Sequence, residues 1–336
     1  MAEAHQITQG EGVVVAVPDT GVDPHPDLRN NLLAGTNIVA GGSSDGRQDR
    51  NSHGTAMAGL IAAHGRGSSG ALGIAPAAKI LPIISSPDKQ GTADDLAAGV
   101  EYALQQGADV ISISSVGGSS TRLQDAVSAA LRANVIIVAA AGNQPDDFTV
   151  GYPARHPDVI AVGGVDRDGH HAALSLTDRE IDVVAPATDI YSTSYDNKYT
   201  RGNGTSSATA IVAGAVALIR ARYPELPATE VVHRLTATAV DKGAPGRDDQ
   251  YGYGVIDLVA ALTADVPPLA AQPSTASASA DAASTTTAAG PAQDGGGAVG
   301  WLLATGGLAA LGGGVAWALA VRRRRRGDAA SPPTAV

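Results

Sequence analysis

Three residue types that can do hydrolytic chemistry together sit far apart in the chain, each close to glycine. They are Asp19 in VVVAVPDTGVD, His53 in DRNSHGTAMAG and Ser206 in GNGTSSATAIVAG. A serine hydroxyl is a poor nucleophile until a base takes its proton. A histidine is such a base when a carboxylate on its other ring nitrogen orients it and offsets the charge it acquires. A histidine at a helix start otherwise resists protonation, because the helix dipole is positive there. The aspartate partner restores a base that works near neutral pH. A fourth residue, Asn143, ends the apolar stretch VIIVAAAGN and carries an amide able to donate to a developing oxyanion. Taken singly, Asp19 and Asn143 read as turn residues and Ser206 as a helix N-cap.

These residues need a scaffold, and the apolar runs supply one. Nearly continuous apolar stretches at 13–17, 80–84, 110–113, 135–141, 159–165 and 181–184 read as strands covered on both faces. Helical segments at 93–106 and 122–133 lie between them. Such alternation predicts an α/β/α arrangement with a mostly parallel central sheet. Sites in such sheets form at the carboxyl ends of strands, where Asp19 and Asn143 fall. The small-residue helix after Ser206 has no charge before Arg220 and reads as buried.

Together the stretches DTGVD, HGTAMAG, AAAGN and GTSSATAIVAG resemble the subtilisin-like serine proteases, or subtilases. The order Asp, His, Ser is theirs, and the likeness extends through SVGG, GYPARHPDVIAVGGVD and VVAPATDIYST over nearly all of residues 11–260. The resemblance implies the subtilisin-like fold and a serine endopeptidase. Asp19 would orient His53, His53 would act as base, and Ser206 would attack the scissile carbonyl. Asn143 and the Ser206 N–H would hold the oxyanion. Ser115, Val116 and Gly117 would pair with an extended peptide. Ala140, Ala141, Gly142 and Gly151 would wall the pocket for the residue before the cut. Two positions depart from the family pattern. Ser207-Ala208-Thr209-Ala210-Ile211 stands where Met-Ala-x-Pro-His is common, and Ala56 stands where His or Phe is common.

The expected domains are a catalytic unit at 1–265, a Pro/Ala/Ser/Thr/Gly linker at 266–297, a membrane helix at 298–321 and a basic tail at 322–336. The linker offers too few large apolar groups to offset chain entropy. The 298–321 stretch is uncharged over 24 positions, long enough to cross a bilayer. Arg322 to Arg326 mark its cytoplasmic end, which places the large domain outside and the C-terminus inside. An exported domain needs an export signal, and MAEAHQITQGEG lacks its features, so a preceding signal is expected. This layout resembles the mycosins, membrane-anchored subtilases of type VII secretion. The resemblance implies a secretion membrane complex, the lipid bilayer and a peptide or protein substrate as partners. The alternative is a scaffold of the same fold that stabilises the complex, with cleavage secondary.

Composition narrows the remaining classes. The 336 residues carry a net charge of −10, and residues 1–297 hold 18 basic against 32 acidic side chains, which argues against nucleic acid. There is no cysteine, so disulfides and thiol nucleophiles are excluded. No glycine-rich phosphate loop follows residues 13–17, which argues against a nucleotide-binding protein. No cofactor or metal is expected. Asp27 falls where some subtilases bind calcium, but one carboxylate is a poor site for an ion that takes six to eight oxygens. His25 reads as a loop residue. GGSSDGRQDR at 41–50 reads as a solvated loop, and His170-His171 lack metal-ligand spacing.

Overall fold

The computed structural model describes residues 1–269 apart from 40, 68, 88–90 and 116. In chain order the elements are α1 (Ala2–Ile7), β1 (Val14–Asp19), β2 (Thr36–Asn37), α2 (His53–Ala62), β3 (His64–Arg66) and β4 (Ser69–Leu72). They continue with β5 (Lys79–Ile84), α3 (Ala93–Gln105), β6 (Val110–Ile113), α4 (Thr121–Arg132), β7 (Ile136–Ala140) and β8 (Ile160–Val165). The last are β9 (Val183–Pro186), β10 (Ile190–Thr193), β11 (Tyr199–Gly202), α5 (Thr205–Arg222), α6 (Ala228–Ala237) and α7 (Leu258–Thr263).

The apolar runs are the strands of one sheet in the order β2-β5-β1-β6-β7-β8-β9, and the neighbouring pairs are parallel. Side chains alternate between two cores, as the strand period requires. Val15, Val17, Ile136, Val138, Ile160 and Val162 join one core with α2 and α5. Ala16, Leu81, Ile83, Ile111, Ile113 and Ile137 join the other with α3 and α4. Both faces are therefore covered, which is why these strands read as continuous apolar runs rather than alternating ones. The expected α/β/α layering with a parallel sheet is the observed one.

Local signals start and stop the helices. Thr92 and Asp95 form a reciprocal capping box at the head of α3, and the Ser120 hydroxyl accepts the Leu123 N–H at the head of α4. In α4 the buried Leu123, Ala126, Val127 and Ala130 recur at helical spacing. Helix α5 is buried from Ser207 to Arg220 and packs on the sheet and on α2, which its Ala and Gly content allows. Each fully buried Val, Ile or Leu there contributes about 1.5–3 kcal/mol. Its first charge, Arg220 in the last turn, is itself buried. The Arg220 guanidinium donates to the Asn134 and Leu226 carbonyls and ties the end of α5 to the α4–β7 turn. Burial pushes its pKa down.

No helix among the described residues is long and apolar enough to cross a membrane. The expected span at 298–321, the tail at 322–336 and all of the linker beyond Leu269 lie outside the described residues.

Candidate active site at the carboxyl edge of the sheet

Asp19 is the last residue of β1, and Ser114 follows β6, the strand beside it. From β1 the chain builds β5 and β2 on one side and β6 to β9 on the other, so this edge is a topological switch point. The elements that leave it carry the other candidate residues. His53 is the first residue of α2, Asn143 lies three residues past β7, and Ser206 is the second residue of α5.

His53 Nδ1 lies 2.8 Å from both Asp19 carboxylate oxygens. A carboxylate only accepts, so Nδ1 carries the proton and Nε2 is the basic nitrogen. Asp19 is buried and its Oδ1 also accepts the Thr20 N–H at 2.7 Å, which fixes the carboxylate plane. Gly54 is what lets α2 come this close: a Cβ there would sit 2.1 Å from the Gly21 carbonyl oxygen.

Ser206 is not a cap. Gly204 holds the N-cap position of α5, and the Ser206 hydroxyl donates to the Ser114 carbonyl at 2.9 Å. The Ser114 hydroxyl in turn donates to the Ser206 carbonyl at 3.2 Å. Asn143 is brought to the same helix start. Its Oδ1 accepts the Thr205 N–H at 2.8 Å, so its NH₂ faces away from that bond. Gly142, just before it, has φ of +116°, a conformation glycine adopts without strain.

Two cavities flank these groups. One, of about 220 Å³, is bordered by Asp19, His53, Ser114, Ser115 and Ser206. The other, of about 350 Å³, reaches from His53 and Ser206 to Met57, Leu60 and Ile190. His53 and Ser206 are the residues the two share. A larger cavity of about 510 Å³ lies at the amino ends of β7 and β8 against α6; none of these four side chains lines it.

Of the expected peptide-binding residues, Ser115 borders the smaller cavity. Ser115 and Gly117 are exposed, and Gly117 makes an antiparallel bridge to Tyr152, next to Gly151. Ala140 and Ala141 are buried at the end of β7, and Gly142 follows. Val116 lies outside the described residues.

Asp49 is the residue that sequence reasoning missed. The loop at 41–50, expected to be solvated, carries at its end a carboxylate that is only 5 % exposed. Asp49 Oδ1 accepts from the Thr20 hydroxyl and the Asn51 and Ser52 N–H groups at 2.8–3.0 Å. Its Oδ2 accepts from the Thr55 N–H and hydroxyl at 3.0 and 2.7 Å. One buried carboxylate thus takes two of the open N–H groups at the head of α2, those of Ser52 and Thr55, and suits the positive end of its dipole; the Gly54 N–H goes to the Thr20 hydroxyl instead. Asp49 also holds Ser52 at φ of +83°, a strained left-handed conformation one residue before His53. The legible signal was an acidic residue four positions before His53; its burial was not.

Asp27 and His25 are both fully buried. Asp27 is met by protein groups: Arg66 Nε lies 2.9 Å from its Oδ1, and its Oδ2 accepts the Tyr199 hydroxyl and the Ala71 N–H. His25 lies in a loop as expected but is packed edge-on against Tyr199 at 5.0 Å. Among the described residues, Asp166, Asp168 and His170 bring possible ligand atoms within 4.8 Å of one another in a turn; Asp168 and His170 are exposed. Asp166 already accepts the Asp168 and His170 N–H groups at 2.9 Å.

Comparison with known proteins gives the family. The Subtilase family of peptidase S8 matches residues 10–254. Subtilisin DY of Bacillus licheniformis is 40 % identical over 259 residues, spanning 75 % of this chain and 92 % of that protein. A crystal structure of MycP1 with its N-terminal propeptide removed superposes with a TM-score of 0.73 at 30 % identity, covering 80 % of this chain and 96 % of that one. MycP3 protease from the type VII (ESX-3) secretion system gives 0.68 at 33 % identity, covering 79 % and 86 %. The chain belongs to the subtilase family and is a subtilisin-like serine endopeptidase, similar in structure to the mycosins.

Proposed function

We propose that Asp19, His53 and Ser206 are the hydrolytic triad of this endopeptidase and that Asn143 stabilises its oxyanion. The observation that carries the reading is the meeting of two cavities at His53 and Ser206, with Asp19 bonded to the far nitrogen of the same imidazole. A hydroxyl proton rotates freely, so the Ser206 O–H can turn from the Ser114 carbonyl toward His53 Nε2. Nε2 takes that proton as Oγ attacks the scissile carbonyl, and Asp19 stabilises the imidazolium. The Asn143 NH₂ and the Ser206 N–H at the positive end of α5 stabilise the negative oxygen. Imidazolium then gives its proton to the leaving amine. Water, activated by the same nitrogen, hydrolyses the acyl-enzyme. The edge at Ser115–Gly117 takes the extended acyl half of the substrate, and Ala140, Ala141, Gly142 and Gly151 enclose the side chain before the cut.

The same proposal places the enzyme on a membrane. The uncharged stretch 298–321 followed by Arg322–Arg326 supports a single span with the catalytic domain outside and the C-terminus in the cytoplasm. Likeness to MycP1 and MycP3 supports a place beside a type VII secretion complex. A quenched peptide tests the chemistry: wild type hydrolyses it and Ser206→Ala does not. Complementing a deletion strain tests the role. Secretion restored only by the wild type supports proteolysis as the main task; equal rescue by Ser206→Ala supports the scaffold.

A further inference from the structure

Ser52 stands at the N-cap of α2, one residue before His53, yet its side chain caps no helix N–H. Its backbone is not the extended one of an ordinary cap: φ is +83° and ψ is −20°. The Ser52 hydroxyl instead lies 2.7 Å from the hydroxyl of Ser194, just past β10. The two residues before Ser194 reach the same turn of helix. The Thr193 hydroxyl donates to the Thr55 carbonyl and the Ser192 hydroxyl to the Ala56 carbonyl, both at 2.7 Å. Ser192, Thr193 and Ser194 are all buried. Gly59 admits them: a Cβ there would sit 2.2 Å from Thr193 Oγ1 and 2.6 Å from Ser192 Oγ. Three consecutive hydroxyls thus fasten the β10–β11 hairpin to residues 52, 55 and 56, on either side of His53 in sequence. We infer that Ser194 is a positioning residue for His53: its hydroxyl holds Ser52 in the left-handed conformation that aims the imidazole, with Thr193 and Ser192 as the footing of that contact. The inference rests on the triad reading above.

A left-handed serine is strained and persists only where its surroundings over-determine it. Asp49 holds the Ser52 N–H, and the Ser52 carbonyl accepts the Ala56 N–H. Ser194 holds the side chain, which borders the 350 Å³ cavity and could otherwise turn into that space. The backbone angles of Ser52 set where the Cα–Cβ bond of His53 points, so relaxation there carries to the ring and to its bond with Asp19. Thr55 and Ala56 lie within α2, whose own ladder also holds their carbonyls, so Thr193 and Ser192 fix the hairpin more than the imidazole.

The test uses the full chain in detergent, a quenched peptide and the variants Ser194→Ala, Ser194→Thr and Ser52→Ala. Counting active sites with a fluorophosphonate refers kcat to folded enzyme. Ser194→Ala is expected to lower kcat about tenfold with KM little changed, less than the roughly 10²-fold scale of a 1 Å misplacement. Ser194→Thr keeps the hydroxyl and is expected to stay near wild type. The acid limb of kcat/KM reports the imidazole of the free enzyme. In Ser194→Ala it is expected to move to lower pH, because a looser Asp19 contact stabilises the imidazolium less. The carboxylates at this helix start, Asp19 and Asp49, are the same in every variant. Ser52→Ala is a second route if Ser194→Ala does not fold. The double variant is expected to be no slower than the slower single one, since both changes remove one contact. An unchanged kcat and acid limb in Ser194→Ala, whatever its melting temperature, overturns the inference, and so do single losses that multiply in the double variant. If the wild type takes up no label at Ser206, the triad reading fails and this inference falls with it.

Discussion

The Thr205 N–H donates to Asn143 Oδ1 at 2.8 Å, so the residue just before Ser206 fixes the direction of the Asn143 amide. The amide proposed to hold the oxyanion is thereby oriented by the helix that carries Ser206. Asn143→Ala removes that donor and is expected to lower kcat by about 10²–10³, with KM changed far less. Asn143→Asp keeps an acceptor for Thr205 but brings negative charge to the oxyanion. It should be at least as inactive while melting near the wild type. Steady-state kinetics and a thermal melt on both variants check the pair of outcomes.

Asp19 and His53 share a hydrogen bond in which only the aspartate can be the acceptor. Asp19→Asn can present its NH₂ to Nδ1 and favour the wrong tautomer. The expected loss in kcat is on the order of 10⁴, the scale of neutralising the carboxylate of such a triad. The fold should survive, since Thr20 N–H still has an oxygen to bond. A variant within a few-fold of wild type would show that the pair is structural.

Asp49 anchors five donors around the start of α2. Asp49→Ala leaves the buried Thr20 and Thr55 donors without their acceptor and is expected to cost about 3 kcal/mol or more. It should also lower kcat, because Ser52, the residue before His53, loses a contact that holds it. Urea unfolding with parallel kinetics reads both effects.

His25 makes the stability pH-dependent in a predictable direction. Burial, the larger effect, pushes its pKa below the usual 6.5, partly opposed by the Asp27 charge. Arg66, the other charge that faces it, pushes the same way as burial. The folded state therefore keeps His25 neutral while the unfolded chain takes up a proton below about pH 6.5. Stability from this residue is complete above that pH and is lost as pH falls toward the folded-state value. His25→Asn keeps an acceptor for the Asp27 N–H without titrating. Between pH 6.5 and 5, wild type should lose up to about 1.4 kcal/mol per pH unit more than the variant in urea unfolding. Parallel curves would contradict this.

Much of the frame was legible because its causes are local. Strands β1, β5, β6, β7, β8 and β9 are apolar on both faces, and nothing but a covered sheet explains such runs between helical segments. The caps of α3 and α4 lie within three residues of their partners. The order of Asp19, His53 and Ser206 suggested one site, although nothing local brings β1, α2 and α5 together. What stayed hidden depends on long-range burial. Asp49 sits in a polar, glycine-rich stretch and is buried only because α2 closes over it. His25 is covered by Tyr199, 174 positions away, and the Asp27 charge is met by Arg66 from β3. The β10–β11 hairpin lacks a strong apolar alternation, yet it forms one wall of the cavity beside His53.

The most direct measurement of the triad is covalent labelling with a fluorophosphonate, read by intact mass and peptide mapping of the full chain. A hydroxyl activated by His53 should take up one phosphonyl group, on Ser206, and Ser206→Ala should take up none. A folded wild type that stays unmodified, or a label that persists in Ser206→Ala, would contradict the account.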